Sequence, residues 1–103
     1  MENKFNSSHH PLIRPLLPKY FACRKEDLKS LKLALTLLNY EHISEIGHKL
    51  KGSGGTFGFQ TISEIGAQIE TAGNKKNETL AMKYIDLFGK FLTSLHIDPA
   101  SIN

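Results

Sequence analysis

The sequence predicts an all-α protein, an antiparallel four-helix bundle with a short extra N-terminal helix. Three observations carry that prediction. Apolar residues recur at three- and four-residue spacing in four successive segments. No stretch alternates with period two over any length, and no internal repeat is visible. The connections between the periodic segments are short and carry helix-capping residues, which favours antiparallel neighbours.

Residues 1–10 (MENKFNSSHH) have no periodicity and are expected to be a disordered tail. The adjacent His9 and His10 lack the fixed geometry that a metal site requires. Pro11, Pro15 and Pro18 follow. Proline is tolerated in the first turn of a helix, so a short helix over roughly Leu16 to Cys23 is expected. From Glu26 to Leu38 the stripe Leu28, Leu31, Leu35, Leu38 marks one helical face, widened by Leu33 and Leu37. Asn39 can cap the next helix, whose core face is Ile43, Ile46 and Leu50, extending to Phe57. A third stripe runs Phe59, Ile62, Ile65, Gly66, Ile69 and stops at Gly73-Asn74. Asn77 can cap a last helix with Leu80, Tyr84, Leu87, Phe88, Phe91 and Leu95 on one side. The bundle is thus expected over 11–98, with a C-terminal tail at 99–103.

Composition narrows the function classes. The 103 residues suffice for one domain with its own core. Apolar runs are only a few residues long, so no membrane span is expected, and the polar N-terminal stretch lacks the apolar run of a secretory signal. The single cysteine, Cys23, fits a reducing cytoplasm and is expected to be a buried thiol. Thirteen Lys and Arg against ten Asp and Glu give a net charge of +3. The cations are scattered rather than gathered in a tract, interrupted by Glu26, Asp27, Glu41, Glu45, Glu64 and Glu70.

The chemistry-bearing stretch is Gly47 to Gly58, GHKLKGSGGTFG. On a helix advancing about 100° per residue, His48 lies opposite Ile43, Ile46 and Leu50. It shares its face with Ser44, Lys51, Gly52 and Gly55. Glycines in a helix interior cost about 1 kcal/mol each relative to alanine. By propensity alone the helix ends near Lys51 and GSGG is a loop; the other reading is a helix whose glycines clear a flat area for an approaching protein. A phosphate-cradling loop is excluded by the absent GxxxxGK[ST] spacing. If Gly58-Phe59 is a corner between antiparallel helices, His48, eleven before Phe59, and Glu70, eleven after it, lie side by side. A carboxylate accepting from Nδ1–H would leave Nε2 as a nucleophilic lone pair.

The run His48-Lys49-Leu50-Lys51-Gly52-Ser53, followed by Gly58, resembles the H-x-[L/I]-K-G-[S/A] signature of histidine-containing phosphotransfer (HPt) domains. The resemblance covers residues ~12 to ~97. It implies a four-helix bundle whose histidine takes a phosphoryl group from a receiver-domain aspartate or a histidine kinase and passes it to another receiver. His48 matches the phospho-accepting histidine and Lys51 the lysine beside it. Gly52 matches the small residue that keeps the face open, and Glu70 falls where the family has Gln or Glu bonding the imidazole. Ser44, Lys49, Gly52 and Gly55 are the expected docking contacts. Gly54 and Gly55 stand where Ser or Ala are also common, and Ala67 adds nothing polar. The resemblance further implies a phosphocarrier without a nucleotide site and without a cofactor of its own, Mg²⁺ being supplied by the receiver. Its partners would be response-regulator receiver domains and a hybrid sensor histidine kinase, and the chain, starting at Met1, is expected to be a free-standing monomer. Two other classes stay open: a receiver-docking module without chemistry, and a small basic helical nucleic-acid binder. A catalytic metal ranks below both, because no H-E-x-x-H or related spacing occurs.

Overall fold

The computed structural model describes residue 12 and residues 14–95, which form four helices and, among these residues, no strand. The expected tails, His9, His10 and His96 lie outside the described residues. A 3-10 turn, Arg14–Leu16, leads into α1, Leu17–Thr36, followed by α2, Tyr40–Phe57, α3, Gln60–Asn74, and α4, Glu78–Ser94. The protein is an all-α four-helix bundle.

The expected short helix is not separate. Pro18 sits in the first turn of α1, and from Lys19 to Thr36 there is neither glycine nor proline, so one helix runs through. Cys23 is exposed on it rather than buried.

All three corners are built alike. Leu38, Gly58 and Lys76 take left-handed backbone conformations, with φ of 52°, 82° and 53°. In each corner the following N–H returns to a carbonyl five residues back: Asn39 to Ala34 at 2.8 Å, Phe59 to Gly54 at 2.7 Å, Asn77 to Ala72 at 3.0 Å. This closes the helix end with its last carbonyls satisfied. That same following residue then starts the next helix. The Asn39 side chain accepts from the His42 N–H at 3.2 Å and that of Asn77 from the Leu80 N–H at 3.0 Å. Only the middle corner uses the residue that adopts positive φ without strain. Lys76→Gly is therefore expected to raise stability by about 1 kcal/mol, read as a higher midpoint in urea with an unchanged slope. The stop expected from Gly73-Asn74 is thus made by Lys76, and Gly73 is buried within α3.

The core is apolar from all four helices. Ile43, Ile46 and Leu50 of α2 meet Ile62, Ile65 and Ile69 of α3, closed by Leu31 and Ala34 of α1 and by Ala81, Ile85, Phe88 and Leu92 of α4. The middle two faces match the sequence reading; the outer two are rolled. Leu33, Leu37 and Leu38 are exposed, and Tyr20, Phe21, Arg24 and Asp27 complete the inner face of α1. On α4, Leu87 is exposed and the buried row is centred on Ile85 and Phe88. A helix contacting its neighbours along a narrow stripe buries only that stripe's centre, and a wide apolar arc does not say where the centre lies.

The closest helix pair is α2 with α3, because glycines face backbone at the contact. An added Cβ would lie 2.5 Å from the Ser63 nitrogen at Gly54, 2.5 Å from the Lys51 nitrogen at Gly66 and 2.6 Å from the Ser44 nitrogen at Gly73. At Gly47 it would strike the Glu70 nitrogen. Gly47 and Gly54 are seven apart on α2, as are Gly66 and Gly73 on α3, so each pair lines one seam. This seam brings Glu70 to His48.

Candidate functional site

The GSGG segment is helical. α2 continues through it to Phe57 and ends on Gly58, so the loop reading fails. Intrinsic propensity disfavours helix here, but Gly54 is what permits the approach of α3, and tertiary contact overrides propensity. Gly52 and Gly55 point the other way, and an added Cβ at either would meet nothing within 4 Å.

His48 stands on this open face with 71% of its side chain exposed. Its Nδ1 is 3.0 Å from Oε2 of Glu70. An ionised carboxylate only accepts, so the bond requires the proton on Nδ1, which leaves Nε2 of a neutral ring as a lone pair directed to solvent. The other Glu70 oxygen, Oε1, is 3.1 Å from Nζ of Lys51. One carboxylate, 22% exposed, thus bridges the imidazole and the ammonium one turn further along α2. The hydrogen bond from Lys51 is the main cause holding the Glu70 carboxyl below its usual value. Partial burial pushes the other way, and the bond to His48 adds to the lowering.

The remaining expected contacts lie at the borders of the face. Ser44 Oγ donates to Asn74 Oδ1 at 2.6 Å, tying the first turns of α2 to the end of α3. Lys49 Nζ reaches Asp27 Oδ1 of α1 at 2.7 Å. Ser53, the last residue of the signature, faces α1 and lies 3.2 Å from Arg24 Nη1 and 3.4 Å from the Tyr20 hydroxyl. His42, the other histidine on α2, is paired with Glu45 of its own helix at 3.3 Å and has neither a lysine nor an open glycine beside it. Sequence reasoning missed Arg24 and Asp27, 6% and 7% exposed, which form a buried ion pair at 2.8 Å. A signal was present: Tyr20, Arg24, Asp27 and Leu31 follow one another at core spacing.

The profile of the Hpt domain family matches residues 17–96, from the start of α1 to just past α4. The chain belongs to the Hpt domain family. No curated protein and no solved structure matches it. Hpt domains are phosphocarrier modules of two-component signalling that interact with receiver domains and kinases. Among the described residues of this Hpt domain, no helix is long and apolar enough to cross a membrane.

Proposed function

We propose that this Hpt domain protein is a phosphorelay intermediate that carries phosphoryl groups on His48. The observation that carries the reading is the exposed imidazole held through Nδ1 by Glu70, beside the open positions Gly52 and Gly55. Neutral Nε2 attacks the phosphorus of a receiver's aspartyl phosphate in line. The N–P bond forms as the P–O bond to the aspartate breaks, and the carboxylate leaves with that electron pair. The receiver's own Mg²⁺ and lysine stabilise the transferring oxygens, so this chain needs neither cofactor nor nucleotide site. Glu70 stabilises the imidazolium character that develops on attack. Lys51 exchanges its place on Glu70 for the incoming phosphoryl oxygens, a short swing about a flexible stem. Transfer to a second receiver is the same reaction reversed. The protein would act as a monomer in the cytoplasm, between a hybrid histidine kinase and a response regulator. Incubation with a panel of phosphorylated receiver domains tests this, with acid-labile, base-stable label expected on the chain. No label from any receiver or kinase would refute it.

Glu70 gives a further expected result. Glu70→Ala should slow transfer by ~10²-fold or somewhat less and lower the share of His48 protonated on Nδ1, seen by nitrogen NMR. Identical tautomer populations would leave Glu70 an ordinary acid. The lowered carboxyl also sets a pH window. Below the ordinary value near 4.5 the unfolded carboxyl binds its proton first, so the Glu70 contribution to stability is complete above that value. It is lost as pH falls through the lower folded value. The stability gap between the parent and Glu70→Gln should close over that descent in urea titrations.

A further inference from the structure

The two flanks of α2 are held in different ways. Toward α3 the helix offers bare glycine against backbone. Toward α1 it offers side chains at every fourth position, Lys49, Ser53 and Phe57, which meet Asp27, Arg24 and Tyr20 in reverse order. Asp27 is fully engaged, with Oδ1 2.7 Å from Lys49 Nζ and Oδ2 2.8 Å from Arg24 Nε. Arg24 reaches Ser53 at 3.2 Å and lies 4.6 Å above the Tyr20 ring. That ring stacks on Phe57 with centroids 4.2 Å apart. The ladder covers residues 49–57, the part of α2 that its own sequence supports least, since each glycine disfavours helix about fivefold relative to alanine. His48, Gly52 and Gly55 lie between the two flanks, so the roll of this segment sets where the imidazole and the open positions point.

We propose that Asp27 and Arg24 are positioning residues for phosphotransfer. Through Lys49 and Ser53 they keep residues 49–57 helical and at a fixed roll, so that His48, Gly52 and Gly55 present one flat face. The transfer arm of this inference rests on the phosphotransfer reading above; the structural arm does not.

The test uses the full chain with Asp27→Asn and, as a milder change at an exposed side chain, Lys49→Gln. Amide hydrogen exchange by NMR should show residues 51–57 opening more readily. The expected acceleration is on the order of 10- to 100-fold in Asp27→Asn, which loses a charge-assisted bond, and a few-fold in Lys49→Gln. Amides of α4 should keep their parent protection. Adding Gly55→Ala, where a methyl meets open space, should return about fivefold of that protection to Asp27→Asn. Transfer from a phosphorylated receiver at saturation should slow by up to ~10²-fold, while the His48 tautomer, set from the α3 flank, stays as in the parent. Uniform acceleration of all amides, or none at 51–57, overturns the ladder. Local opening with parent transfer rates overturns the positioning role. An unlabelled parent sinks the phosphotransfer reading instead, and the exchange data still judge the ladder.

Discussion

Phosphorylation is expected to vanish in His48→Gln while the fold stays intact. The imidazole is mostly exposed, and its Nδ1 bonds a partly exposed carboxylate, that of Glu70. Removing such a contact costs less than about 1 kcal/mol, and the glutamine amide can still donate to Glu70. The chemistry has no such substitute, because an amide nitrogen carries no available lone pair and the step is nucleophilic. The variant should therefore match the parent in circular dichroism and melting within a few degrees, yet take no label from any phosphorylated receiver. Label persisting in the variant, or disappearing with His42 instead, would show that the open face of α2 is not where the phosphoryl group is received.

The four glycines of α2 should split into two opposite classes. At Gly54 a methyl would stand 2.5 Å from the Ser63 nitrogen and 2.9 Å from the Phe59 carbonyl oxygen, both backbone atoms of the α3 entrance. The helices must part to admit it. Gly54→Ala should destabilise the bundle by about 2–4 kcal/mol and slow transfer as Glu70 recedes from His48. Gly47→Ala, facing the Glu70 backbone, should behave alike. Gly52→Ala should do the reverse, adding up to about 1 kcal/mol, because the site is open and alanine is the better helix former. Gly52→Gln should also keep the fold but stand beside the imidazole and hold the receiver back. A displacement of about 1 Å can cost ~10²-fold in transfer. Urea midpoints and transfer rates measured on the same four proteins decide the matter. Were Gly52→Gln to unfold the domain, or to transfer at the parent rate, the open face would have no part in access.

The fold class was legible in the sequence because it depends on local chemistry. Helical periodicity needs no neighbour to be read, and the Asn39 and Asn77 caps are made within one turn of their own helices. The pairing of His48 with Glu70 was legible too, since two straight helices from one corner keep equidistant residues level, and Gly58 is that corner. What depends on where another helix lies was not legible. Leu33, Leu37 and Leu87 belong to apolar arcs wider than the contact they make, and only the placement of neighbouring helices leaves them exposed. The same holds for Arg24 and Asp27, whose burial makes sense once Lys49 and Ser53 arrive from α2 to complete their bonds. The helicity of GSGG is the clearest case. Composition favours a loop, and the close seam with α3 at Gly54 reverses that preference. Sequence alone thus determined the four main helices, their order and the pairing of His48 with Glu70. Tertiary structure decided their roll, the engagement of Lys51 with Glu70 and the flatness of the face around His48, because each is set by contacts between residues far apart in the chain.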